Sequence, residues 1–194
     1  MTEYVYQETD YIKEVDLTDF ENLMLMYSYM PEDIENEHEY NKVLQYILRL
    51  LEKAPDFLQA YEYAIIMVHQ LKETPETITT LKELEHDFML ACERVAIKDD
   101  IYTKTVEWGW IENRPLIRGL FRNADKLWIA GNLAEAHELF TKLYKTNEDD
   151  NIGVRYCVKA IGQGMSRDEF NKRFVSAEGG YFISDTLEHC FFTL

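Results

Sequence analysis

Turn-forming residues are scarce in this chain. Eight glycines and four prolines in 194 residues argue against a turn-rich β fold, and abundant Leu, Glu, Lys and Ala favour helices. Cysteine is equally sparse. Cys92, Cys157 and Cys190 are odd in number, far apart and form no Cys-x-x-Cys pair, which excludes a disulfide framework and a thiolate zinc knuckle. They read as buried or incidental thiols in a reducing compartment. No apolar run approaches the roughly 20 residues of a membrane-spanning helix. The opening MTEYVYQETDYIKEV lacks a basic stretch followed by an apolar core, so it does not read as a signal peptide. The expected location is cytoplasmic.

Positive charge is missing where the chain begins. Residues 1–40 hold twelve acids and a single base, Lys13, within a formal net charge of −16. Duplex nucleic acid is thereby an unsuitable direct partner, because phosphate contacts need clustered Lys and Arg. Anionic membranes are disfavoured for the same reason. Residues 1–16, acidic and Tyr-rich, read as a flexible tail or an edge segment.

Catalytic and metal signatures are also lacking. The five histidines form no His-Glu-x-x-His and no zinc-ligand spacing with cysteine. Gly162-x-Gly164 does not continue into a phosphate loop, and there is no Gly-x-Ser-x-Gly. The expectation is a non-enzymatic protein with no metal and no cofactor. His69, on an apolar segment, is expected to be a core histidine.

What the chain does contain is helical periodicity in a single domain spanning 1–194. Apolar residues recur every three or four positions, and start and stop signals divide the pattern. Thr18-x-x-Glu21 opens a short helix over about 19–30. Val43, Leu44, Ile47, Leu48 and Leu51 mark a helix over 37–54. Asp56 reads as an N-cap for 57–71, apolar on most of its circumference and therefore the most buried. Thr74-Pro75 starts a helix to about 97, with Ile78, Leu81, Leu84, Phe88, Cys92 and Val95 as its stripe. A short helix is expected over 99–108, ending at Gly109. Further helices follow over 114–130, 133–146 (burying Ala136, Leu139, Phe140, Leu143 and Tyr144), 151–162 and, from a Ser166-x-x-Glu169 capping box, to Phe174. A last one opens at Ser184 or Asp185. The total is about nine or ten helices, an all-α fold.

The segment 116–150 resembles one unit of the tetratricopeptide-repeat (TPR) group. Leu120, Ala124, Leu127, Gly131, Ala136 and Phe140 hold that pattern's places, its small residues letting two helices approach to about 8–10 Å. Ala124 replaces the usual Gly, and Glu148 the usual Pro. A fragment over 42–71 resembles the join between units, with Pro55, Ala60, Tyr61 and Ala64 in place, though Thr77 falls where the next packing Ala belongs. A third partial unit covers 151–174, with Phe170 in the Ala position. Trp108-Gly109, Arg114-Pro115 and Asp150-Asn151-x-Gly153-x-Arg155-Tyr156 also resemble divergent TPR-like proteins. The resemblance implies a short right-handed α-solenoid of stacked helical hairpins whose first helices line a peptide groove.

Arg114, Arg118, Arg122 and Lys126 stand four apart on the 114–130 segment. Each step of four advances about 40° around a helix, so they form one slanting basic stripe. On a groove-lining helix such a stripe suits a carboxylate or an acidic peptide; otherwise it is a solvated face or pairs with the protein's own acids. Arg155 and Lys159 extend it onto the next unit. The expected function is a protein- or peptide-binding scaffold. The alternative is an acidic inhibitor or nucleic-acid mimic that occupies a basic site through Glu32, Asp33, Glu35 and Glu37. The acidic N-terminus could also lie on the stripe as an internal pseudo-ligand. Of Trp108, Trp110 and Trp128, two are expected in the core. The apolar CFFTL terminus suits an end cap or a contact in a homodimer.

Overall fold

The order of apolar stripes sets the order of packed elements. The computed structural model describes residues 1–7 and 37–174. Within them lie seven α-helices: α1 (Glu37–Lys53), α2 (Leu58–Gln70), α3 (Pro75–Lys98), α4 (Arg114–Ile129), α5 (Leu133–Thr146), α6 (Val154–Gly162) and α7 (Arg167–Phe174). Neighbours in sequence pack against each other from α1 to α6, since each buries one apolar face and the short connections leave the adjacent helix as its nearest cover. Two further contacts tie the series together: α2 meets α4, and α7 packs on α4.

Local chemistry explains the helix ends. Thr74 caps α3 through a reciprocal pair: the Thr77 amide donates to Thr74 Oγ1, and the Thr74 amide donates to Thr77 Oγ1. Gly131 turns α4 into α5 with φ +82°, a left-handed backbone that suits glycine because it has no Cβ to clash. Asp150 begins α6 by accepting from the amides of Val154 and Arg155. Ser166 Oγ accepts from the Glu169 amide at the start of α7.

The core is one cluster running through all the helices. Its centre around α4 is aromatic. Trp128 is buried, with its ring 6.1 Å from Phe140 and 5.2 Å from Phe170, and its Nε1–H donates to the Met165 carbonyl. Satisfying that donor makes so large a side chain stable inside. Val43, Leu44, Ile47 and Leu51 of α1, and Leu84, Phe88, Cys92 and Val95 of α3, are buried as their spacing predicts. Helix α2 is buried along most of its length, at Leu58, Ala60, Tyr61, Ala64, Ile65, Met67 and Val68.

Several expectations need correction. Residues 99–108 are not a helix: a 3₁₀ turn at Ile101–Thr103 leads into a short strand, β2 (Lys104–Thr105). That strand pairs in parallel with β1 (Thr2–Glu3), Thr2 opposite Lys104 and Glu3 opposite Thr105. Residues 1–7 are therefore an edge segment rather than a tail. Tyr6 is buried, its amide donates to Asn113 Oδ1, and its hydroxyl donates to the Asp56 carbonyl. The Asp56 side chain does not cap α2, whose N-cap residue is Phe57 and which has no side-chain cap; instead it pairs with Arg94 of α3. His69 is exposed. Ile78 and Tyr144 reach solvent, because the stripes of α3 and α5 extend past their neighbours there. The expected helix over 19–30 and the one opening at 184 or 185 lie outside the described residues, as do Cys190 and the CFFTL terminus.

Candidate functional site

Helix α4 carries four of the six cations singled out from sequence, and the fold divides them. The upper pair holds the chain together. Arg118 makes a forked ion pair with Glu62 of α2, Nε donating to Oε1 at 2.5 Å and Nη2 donating to Oε2. The Glu62 side chain is only 18% exposed, and a bidentate guanidinium–carboxylate contact of this kind fixes geometry as well as charge. Arg114 donates from Nε to the Trp108 carbonyl at 3.1 Å. Both guanidinium groups lie over the Trp108 ring, at 5.3 Å for Arg114 and 5.5 Å for Arg118, within the distance at which a cation is drawn to an indole face. Arg114 and Arg118 thus pin the 104–113 segment and α2 onto α4.

The lower pair is different. Arg122 and Lys126 are exposed, and among the described residues neither has an ion-pair partner. Arg122 rests over the Phe88 ring at 5.8 Å. One turn beyond Lys126 stands Ile129, 67% exposed. Positions 122, 126 and 129 fall on one face of a helix. Among the described residues, that face therefore presents two cations without ion-pair partners followed by an exposed aliphatic side chain.

The extension onto α6 is also divided. Arg155 donates from Nη1 to Asp150 Oδ2 at 2.8 Å and from Nη2 to the Tyr156 hydroxyl at 2.9 Å. Its guanidinium lies 4.4 Å from the Tyr156 ring centroid. Burial pushes the Asp150 carboxyl upward, against the pull of its amide and guanidinium donors. Arg155 therefore belongs to the start of α6 and, among the described residues, shares no partner with the α4 cations. Lys159 is half-buried on the same helix.

The tryptophans separate in the same way. Trp128 is core, Trp108 is half-buried under the two arginines, and Trp110 is 45% exposed with its Nε1–H donating to Glu3 Oε1 at 2.8 Å. One of the three, not two, lies fully in the core.

A concave feature elsewhere escaped the sequence reading. Helices α1, α2 and α3 border an open cavity of about 500 Å³ lined by Leu48, Leu51, Glu52, Pro55, Tyr61, Leu84, Asp87 and Arg94. Its lining comes from three separate helices, so no single stretch of sequence carries its signal. Tyr61 donates to the Pro55 carbonyl at 3.1 Å. Burial, and then the nearby Asp87 charge, push its hydroxyl up to about 12.

Cys92 and Cys157 are buried thiols outside any disulfide, and burial pushes the Cys92 thiol well up, which keeps it in its unreactive protonated form. Among the described residues no group of three or more His, Cys, Asp or Glu is placed to hold a metal ion, and no helix is long and apolar enough to cross a membrane. No family model, curated protein or solved structure matches this chain.

Proposed function

We propose that this chain is a non-enzymatic, TPR-like binding module whose exposed α4 face receives an acidic protein or peptide partner. The observation that carries the reading is the exposed Arg122–Lys126 pair, without an ion-pair partner among the described residues, beside the exposed Ile129. Two cations one turn apart suit a pair of carboxylates, or a single terminal carboxylate held from both sides, and Ile129 suits an apolar side chain next to it. The pinned Arg114 and Arg118 support the face by holding α4 against α2 and the 104–113 segment. A binding face on a firmly seated helix loses little entropy on association. The reading takes Arg122 and Lys126 as the partner contacts, because Arg114, Arg118 and Arg155 are engaged within the fold.

Charge reversal tests this. The wild-type chain and an Arg122→Glu/Lys126→Glu variant are used as baits in lysate of the native cell, with proteins quantified by mass spectrometry. The expected result is a set of acidic partners lost from the variant, whose thermal midpoint stays near wild type. Their affinity for wild type should also fall as salt rises. Equal capture by both baits overturns the reading.

A further inference from the structure

We propose that the cavity between α1, α2 and α3 binds an aliphatic cation, an alkyl chain ending in an ammonium group. The site is independent of the α4 face. Leu48 and Leu51 of α1 and Leu84 of α3 supply an apolar lining, and Pro55 closes one side. Its volume of about 500 Å³ falls within the range of roughly 300–1,000 Å³ typical of small-ligand sites. The polar lining decides the sign of the ligand.

Three charged side chains line the cavity, and one of them is already balanced. Arg94 donates from Nε to Asp56 Oδ1 at 2.7 Å and from Nη2 to the Pro55 carbonyl at 2.9 Å. Two of its donors and its charge are thus engaged within the wall. Glu52 and Asp87 have no ion-pair partner among the described residues. Both are exposed at the cleft wall. The Tyr61 hydroxyl is committed to the Pro55 carbonyl and adds no positive charge. What remains is a partly apolar cleft with two carboxylates that have no ion-pair partner among the described residues, in a chain of formal charge −16. Attraction of a cation is favoured by both the local and the overall field. An alkylammonium group satisfies both halves, its stem on the leucines and its head at the carboxylates. The same chemistry occurs in a free amine and in the lysine side chain of a partner.

The test is an amide NMR titration of the full chain with n-hexylamine, n-hexanol and sodium hexanoate at constant ionic strength. Saturable shifts confined to the α1–α2–α3 cavity are expected with n-hexylamine, at least tenfold weaker binding with n-hexanol, and none with hexanoate. A Glu52→Gln/Asp87→Asn variant should bind n-hexylamine about tenfold more weakly, with n-hexanol unchanged. Both substitutions are at exposed positions, and the variant's amide spectrum reports retention of the fold. An acetylated, amidated Leu-Lys-Leu peptide, compared with its norleucine counterpart, separates the sources: cavity shifts that need the lysine assign the site to a partner side chain, and cavity shifts from n-hexylamine alone assign it to a free amine. The proposal is overturned if hexanoate or n-hexanol binds as well as n-hexylamine, if the variant binds n-hexylamine unchanged, or if no probe shifts the cavity.

Discussion

A Cβ on Gly119 of α4 would stand 2.1 Å from Sγ of Cys92 on α3. The next atoms it would meet are the Cys92 Cβ at 3.0 Å and Phe88 Cζ at 3.3 Å. The α3–α4 contact therefore has space for a hydrogen and nothing larger. Overpacking of this kind costs about 1–3 kcal/mol, against which alanine recovers up to about 1 kcal/mol of helix propensity. Gly119→Ala should lower the urea midpoint, and adding Cys92→Ala should restore part of the loss. Such non-additivity is the mark of two side chains competing for one space. A Gly119→Ala chain as stable as wild type would show that the helices are not so close.

The two halves of the α4 stripe should respond oppositely to mutation. Glu62→Gln removes the partner of Arg118 and should cost about 1 kcal/mol, the upper end for a partly exposed ion pair. It should leave partner capture unchanged. Arg122→Glu/Lys126→Glu should abolish capture with little change in stability. Parallel urea melts and pull-downs on both variants read the two effects separately.

Asn113 is fully buried and serves three hydrogen bonds. It accepts from the Tyr6 amide at 2.8 Å and donates to the carbonyls of Tyr4 at 2.9 Å and Glu107 at 3.1 Å. Asn113→Ala strands the buried Tyr6 amide, at a cost of about 1–3 kcal/mol. Tyr6→Ala leaves a cavity beside Asp56 and should cost about 3 kcal/mol or more. Equilibrium denaturation measures both. A wild-type midpoint for Tyr6→Ala would contradict the docking of the first seven residues.

Stability should fall in strong base. The hydroxyls of Tyr61 and Tyr102 are each pushed up to about 12, chiefly by burial and then by Asp87 and Glu93 respectively. A group whose folded pKa is raised stabilises the fold fully below its unfolded value, about 10 for tyrosine. That contribution is lost as pH rises from about 10 towards 12. Each tyrosine should account for about 1 kcal/mol lost by pH 11. Urea midpoints between pH 8 and 11 should decline, and Tyr61→Phe and Tyr102→Phe should each flatten the slope.

The sequence by itself determined where the seven helices of residues 37–174 run, though it also predicted one over 99–108 that does not form. Periodic apolar side chains, the Thr74 cap and Gly131 act within a few residues, so the chain needs no distant neighbour to express them. Spacing likewise put Arg114, Arg118, Arg122 and Lys126 on one face. Only tertiary structure decided which of them are occupied. Glu62 lies 56 positions from Arg118, and Trp108 comes from a segment that the periodicity mistook for helix. That segment became a strand because residues 2–4 arrive from the far end of the chain to pair with it. The α1–α2–α3 cavity was illegible for the same reason: its lining joins three helices, and a space between surfaces has no sequence of its own.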